Sequence, residues 1–103
     1  MEIVFFSARS KKFFRLIDNP LRSRVDESFL LLEEYNHNLG MPFSKSLGGK
    51  LFELRVIDII HIRFIYTFYT NKIWILHGFV KKTERISKQD IEYARKQLRM
   101  LLH

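Results

Sequence analysis

The chain has no cysteine among its 103 residues, which excludes disulfide bonds and zinc–thiolate sites. It also lacks a long apolar run: the longest, such as residues 73–76, are far shorter than the roughly 18 residues that a membrane span needs. An acidic residue follows Met1 and the apolar run after it is short, so no signal peptide is expected. We therefore expect one soluble, cytoplasmic domain covering residues 1–103, without a membrane partner.

Excess positive charge is confined to the second part of the chain. Residues 1–43 contain six basic and six acidic side chains, whereas residues 44–103 contain twelve basic and five acidic ones. The net charge of +7 therefore arises entirely after residue 43. A one-sided basic surface attracts a polyanion, most often nucleic acid. The alternative is a solvated face that is kept basic for solubility.

Patterns in the first part predict a strand followed by two helices. Residues 3–6 form a β-type run, and residues 9–17 fit a short helix. Asn19 is a good N-cap and Pro20 suits the first helical position, so a second helix is predicted from there to Gly40. Its apolar stripe has helical spacing and consists of Leu21, Val25, Phe29, Leu32, Tyr35 and Leu39.

Apolar periodicity changes from helical to alternating after a predicted loop at residues 41–49. Three antiparallel strands are predicted at residues 50–57, 60–69 and 73–80, with tight turns between them and a bulge at Gly78. A last helix is predicted to begin at Ser87, because Ser87 and Asp90 have capping-box spacing.

These elements predict an α+β fold in which an antiparallel sheet packs against an N-terminal helical pair and a C-terminal helix. One face of such a sheet often stays uncovered. That face would carry Glu53, Arg55, His61 and Arg63.

Two arginines on the predicted hairpin are the first site candidates. Pairing across the turn at residues 58–59 makes Arg55 and Arg63 near-direct neighbours on the polar face. Like charges in this position repel unless an anion lies between them, and guanidinium groups bind phosphate bidentately. The pair is therefore interpreted as a phosphate clamp. The alternative is that Glu53 neutralises one arginine and solvent screens the other.

His77 is a second candidate, because a histidine with a pKa near 6.5 is a natural proton carrier at neutral pH. Its place in an apolar strand makes a buried core histidine the competing interpretation, with burial lowering its pKa. Lys81, Lys82 and Arg85 form a basic cluster just after this strand. The four histidines lack metal-ligand spacing, so no metal is expected.

Three segments together are similar to a known family. They are residues 47–55 (LGGKLFELR), 62–66 (IRFIY) and 76–83 (LHGFVKKT). In this combination they resemble the RelE/HigB-like toxins of type II toxin–antitoxin systems, and most closely the phage-derived HigB-like branch. The predicted helix start at residues 87–95 fits the same branch.

The resemblance implies a small α+β toxin that cleaves mRNA on the ribosome and is silenced by a helix-turn-helix antitoxin, through which it reaches operator DNA. Such toxins attack through the RNA's own 2′-hydroxyl, so neither metal nor cofactor is expected. Arg55 and Arg63 would stabilise the developing charge, and Glu53 or His77 would transfer the proton.

The resemblance also implies roles for the lysines. Lys81 and Lys82 would neutralise flanking phosphates or the leaving oxygen. The further RNA-binding candidates are Lys50, His61 and Arg85. Two other functions stay open: a ParE-like toxin that inhibits gyrase without hydrolysis, and an inactive basic module that binds nucleic acid.

Overall fold

The computed structural model describes all residues from 1 to 103 and contains one five-stranded sheet and three α-helices. In chain order the elements are β1 (Glu2–Phe5), α1 (Ala8–Arg15), α2 (Leu21–Tyr35), a 3₁₀ turn (Asn36–Asn38), β2 (Ser44–Gly48), β3 (Leu51–Arg55), β4 (Ile62–Tyr69), β5 (Lys72–Val80) and α3 (Lys88–Leu102). The strand order is β1-β5-β4-β3-β2, with β1 parallel to β5 and the other pairs antiparallel. The predicted α+β class is confirmed. No helix has the length and apolar character needed to cross a membrane.

Both faces of the sheet are covered. On one face, α2 packs against a core that includes Leu54, Phe64 and Ile75. On the other face, α3 packs against Leu51, Ile65 and Leu76 through the side chains of Ala94 and Leu98. The prediction of an uncovered face was therefore wrong. The second face carries enough apolar side chains that exposing it would cost free energy, and the apolar stripe of α3 shields them from water.

The structure adds a strand that was predicted as a loop. Within residues 41–49, β2 pairs antiparallel with β3 and places Lys45 opposite Glu53. Gly48, the last residue of β2, and Gly49, the first residue of the following turn, have φ angles of +82° and +59°, which glycine adopts readily. A buried hydrogen bond between Ser44 Oγ and Tyr66 Oη fixes the start of the strand. Such a short, mostly polar edge strand has no apolar alternation to reveal it.

The ends of other elements also differ from prediction. Helix α2 ends at Tyr35 rather than Gly40, because Asn36 has a positive φ of 50° and a 3₁₀ turn follows. Its start has no side-chain cap; instead, Asn19 accepts a hydrogen bond from Ser23 Oγ. Strand β4 begins at Ile62, so the connection from β3 is longer than a tight turn.

The irregularity in β5 lies before Gly78. Ile65 pairs with His77 but Tyr66 pairs with Ile75, which leaves Leu76 as the extra residue. Gly78 has a different role, since a Cβ there would lie 2.6 Å from Cδ2 of Phe13. The absence of a side chain at this position therefore lets α1 pack closely on the sheet.

Candidate functional site

Arg55 and Arg63 lie directly opposite each other on β3 and β4, which confirms the predicted pairing. Glu53 precedes Arg55 by two residues, so it lies on the same face of the sheet. Lys45 of β2 pairs with Glu53. Three neighbouring strands therefore bring three basic side chains and one carboxylate together on the face that α3 partly covers.

Glu53 forms an ion pair with each arginine. Nε of Arg55 donates a hydrogen bond of 3.0 Å to Oε1 of Glu53. Nε of Arg63 lies 3.3 Å from Oε2, but at an angle that does not make a hydrogen bond, so both of these buried atoms lack a hydrogen-bond partner. The repulsion between the two arginines is thus balanced by one carboxylate that is only 1% exposed.

The two arginines differ in their access to solvent. Arg63 is 8% exposed, and its Nη1 donates a 3.0 Å hydrogen bond to the carbonyl of Ile62. Burial lowers the pKa of Arg63; the charge of Glu53 opposes this shift and that of Arg55 adds to it. An arginine still keeps its proton under these conditions. The Arg55 side chain is 24% exposed, so it is the member of the pair that a ligand can reach.

Arg55 opens into a cleft of about 440 Å³ between the β2–β3 hairpin, the segment of residues 81–87 and the start of α3. The lining residues are Lys45, Leu47, Glu53, Arg55, Lys81, Glu84, Arg85, Ile86 and Ile91. Basic side chains outnumber acidic ones in this set. The start of the segment is held by its backbone, because the N–H of Lys81 donates a 2.8 Å hydrogen bond to the carbonyl of His61. The cleft therefore has the charge and volume to bind a phosphate group.

His77 belongs to a separate polar cluster. Its Nε2 lies 2.7 Å from Oδ1 of Asp90, and Ser87 Oγ donates a 2.7 Å hydrogen bond to the other carboxylate oxygen. Ser87 also accepts the backbone N–H of Asp90, so the predicted helix cap is confirmed. His77 is 3% exposed and packs between the rings of Phe79 and Tyr93.

Burial lowers the pKa of His77, as the sequence predicted. The contact with Asp90 acts in the opposite direction, and the positive charge of Arg9 adds to the lowering. Near neutral pH the imidazole is therefore uncharged. It connects β5 to the first turn of α3 and does not line the cleft.

The remaining candidates are dispersed. Lys82 lines a smaller pocket of about 190 Å³ next to Asp90. Lys50 lies in the β2–β3 turn, at the opposite end of β3 from Arg55. His61 is exposed in the connection before β4. Four of the predicted site residues line the cleft: Glu53, Arg55, Lys81 and Arg85. Arg63 lies behind them, opposite Arg55 on the neighbouring strand. The other predicted residues lie outside the cleft: Lys50, His61, His77 and Lys82.

Two charged lining residues, Lys45 and Glu84, were not among the sequence candidates. Lys45 could have been found, because a Gly-Gly pair before an alternating strand is a hairpin signal that predicts a partner strand before it. Nothing in the local sequence indicates that Glu84 faces the cleft. No three His, Asp or Glu side chains converge as ligands of a metal ion would.

Comparison with known protein families gives a match over most of the chain. Residues 12–99 match the model of a family described as phage derived protein Gp49-like (DUF891). This family is related to the RelE/HigB-like toxins, so the resemblance is confirmed at that level. No curated protein matches the chain.

Proposed function

We infer the function from one premise: the chain belongs to the phage-derived protein Gp49-like family, which is related to the RelE/HigB-like toxins. We propose that it is the toxin of a type II toxin–antitoxin system, of the HigB-like branch, and that it cleaves mRNA on the ribosome in the cytoplasm. The observation that carries this proposal is the cleft in which Arg55, Lys81 and Arg85 face the same space beside Glu53.

The proposed reaction is a transesterification within the RNA. The 2′-oxygen loses its proton and attacks the adjacent phosphorus, while the bond from phosphorus to the 5′-oxygen breaks. The products are a 2′,3′-cyclic phosphate and a 5′-hydroxyl, and the 5′-oxygen takes up a proton. The RNA supplies the nucleophile, so the protein has to transfer protons and stabilise negative charge.

Arg55 is the proposed donor to the phosphate. Its Nε is already held by Glu53, which fixes the guanidinium plane and leaves its terminal N–H groups for two phosphate oxygens. A donor that is held in place before reaction stabilises the transition state without a cost for reorganisation. Arg63 stabilises the position of Glu53 from the buried side, because its positive charge compensates the negative charge at Oε2 of Glu53.

Glu53 is the proposed general base, and Lys81 the proposed donor to the leaving oxygen. Glu53 lines the cleft beside Arg55, and its carboxylate, which is 1% exposed, would have to become accessible to the 2′-hydroxyl when RNA binds. His77 is the weaker candidate, because it is buried outside the cleft and its Nε2 is engaged by Asp90. Lys82 would then contact a flanking phosphate.

The partner proposed for the silent state is an antitoxin with an acidic segment that fills the cleft. Opposite potentials would speed this association and make it weaken as the salt concentration rises. A helix-turn-helix domain in the same antitoxin would connect the complex to operator DNA.

A second candidate function is ParE-like inhibition of a protein target without RNA cleavage. The observation that favours it is an exposed apolar loop between β3 and β4, in which Ile59 is 92% exposed and Ile57 56%. Contiguous exposed apolar side chains often mark a protein-binding surface.

The test uses purified protein, bacterial ribosomes and a defined mRNA. Wild type is compared with Arg55→Ala and with Arg15→Ala, a matched control in which an exposed arginine of α1 without an ion pair is removed. The proposal predicts cleavage products with 2′,3′-cyclic phosphate ends for wild type and Arg15→Ala but not for Arg55→Ala. Intact mRNA with wild-type protein would reject ribonuclease activity and favour the protein-target candidate.

A further inference from the structure

Arg95 does not line the cleft but lies directly beyond one end of it. Ile91 of α3 lines the cleft, and Arg95 is one helical turn further along the same side of the helix. A Cβ on Gly49 would lie only 2.7 Å from Nη1 of Arg95, so the guanidinium lies against the backbone of the β2–β3 turn. Arg95 and the exposed β2–β3 turn therefore lie next to each other, beyond the end of the cleft that Ile91 lines.

Arg95 has no partner within the protein. It is exposed and forms no ion pair, although Glu92 lies on the same helix and is paired with Lys88 at 3.9 Å instead. No side-chain hydrogen bond joins it to the turn, so all of its N–H donors are available to a ligand. Lys50, the next residue after Gly49, adds a second exposed positive charge at this point.

We propose that the RNA strand bound in the cleft continues along α3 to the β2–β3 turn, where Arg95 and Lys50 bind its next phosphates. This inference rests on the proposed function for the identity of the ligand. The β2–β3 hairpin forms one wall of the path and α3 the other. Five residues of β3 separate Lys50 from the far side of Arg55, a span of about 17 Å at roughly 3.4 Å per residue. The path is therefore longer than one nucleotide. Its ligand in this proposal is a single RNA strand that contacts the protein through several successive phosphates.

A polyanion of extended form fits this site better than a compact anion. Lys81 and Arg85 line the cleft together with Arg55, whereas Arg95 lies against the turn at the other end of β3, so the basic groups extend in one direction. Proteins that bind single strands without reading the sequence track the backbone with such a line of charges. Affinity should therefore grow with RNA length until the strand reaches the turn.

The experiment measures binding of unstructured oligouridine of about three and about ten nucleotides to full-length protein by fluorescence anisotropy. The variants are Arg95→Ala and Lys50→Gly; glycine suits the φ of 69° at position 50 and removes the charge. Lys96→Ala is the control, because this exposed residue follows Arg95 and lines the same surface pocket of α3, but only Arg95 lies against Gly49. Circular dichroism and thermal unfolding confirm that each variant is folded.

We expect Arg95→Ala to weaken binding of the longer RNA about tenfold, as loss of a charge-assisted hydrogen bond would. Its slope of log affinity against log salt should become shallower by about 0.7, which corresponds to one phosphate contact on a single strand. Binding of the shorter RNA and the behaviour of Lys96→Ala should equal wild type. Equal binding by Arg95→Ala and wild type, or an equal loss in Lys96→Ala, would overturn the proposal.

The site and the enzymatic function can fail separately. If Arg95→Ala weakens binding of long RNA while wild type cleaves no mRNA, the binding path stands and the ribonuclease activity does not. If wild type cleaves mRNA while Arg95→Ala binds and cleaves like wild type, the path is wrong and the activity stands. Arginine-dependent binding of polyglutamate without RNA binding would also overturn the path and would assign Arg95 to an acidic protein partner.

Discussion

Arg55 and Arg63 face each other across two antiparallel strands, and only one of them reaches solvent. The carboxylate of Glu53 holds both, at 3.0 Å from Arg55 and 3.3 Å from Arg63. This asymmetry separates two arginines that look equivalent in the sequence. Arg55 is placed to contact a ligand, whereas Arg63 is placed to keep Glu53 and Arg55 in position.

Replacing Arg55 by Ala should reduce the rate of RNA cleavage by about 10²–10³, because a positioned donor to the transition state is lost. The free energy of unfolding should change by less than about 1 kcal/mol, because water can enter through the cleft and replace the hydrogen bond that Oε1 of Glu53 loses. Single-turnover cleavage and urea unfolding measure the two effects. Arg15→Ala should behave as wild type in both. A cleavage rate near that of wild type would remove Arg55 from the proposed mechanism.

Replacing Arg63 by Ala should instead destabilise the fold. It removes one of the two ion pairs of the buried Glu53 carboxylate and the buried hydrogen bond from Arg63 to the Ile62 carbonyl, which costs about 1–3 kcal/mol. The sequence predicted equal exposure for both arginines and therefore no such cost for either. Urea unfolding of the two alanine variants side by side tests the difference. Equal stability of both variants would show that burial of Arg63 contributes nothing to the folded state.

Glu53 and His77 can be distinguished by conservative substitution. Glu53→Gln should lower the cleavage rate by about 10²–10⁴ and flatten the acid limb of its pH profile, as expected for loss of a general base. His77→Gln should retain most of the rate, because the imidazole lies outside the cleft. The reverse result, a large loss in His77→Gln alone, would exchange the roles. If Glu53→Gln and His77→Gln both keep the full rate, neither residue is the general base, and catalysis depends on the arginine and lysine charges alone.

His77 should make the stability of the protein depend on pH. Its pKa in the folded state is below the ordinary 6.5, so in the window between these values the unfolded chain binds more protons. The free energy of unfolding should therefore rise with pH through this window and become level above it. Thermal unfolding between about pH 5 and about pH 7.5 measures this rise. In His77→Gln the rise should be smaller, whereas an unchanged slope would assign it to other groups.

Features that depend on residues close together in the sequence could be predicted from the sequence. The pairing of Arg55 with Arg63 follows from alternation and the position of the turn, and the burial of His77 follows from its apolar neighbours. The apolar stripe of α3 was also visible in the sequence. Which sheet face it covers is decided by packing of the whole chain, so the burial of Glu53 and Arg63 was not predicted.

Features that depend on a distant partner were missed. Strand β2 forms because its backbone groups hydrogen-bond to β3. A sequence reading that misses β2 cannot predict that Lys45 lies opposite Glu53. Asp90 was identified as a helix cap, and that role is correct. Its second contact, with His77 thirteen residues earlier, depends on how α3 docks against β5.

The most direct measurement is a map of mRNA 5′ ends in cells after brief induction of the chain without an antitoxin. Wild type should stop growth and create new 5′-hydroxyl ends within translated messages. Arg55→Ala, expressed at the same level, should create none, and Arg15→Ala should match wild type. Growth arrest with intact messages, or new ends that are equally frequent with Arg55→Ala, would contradict RNA cleavage by this cleft.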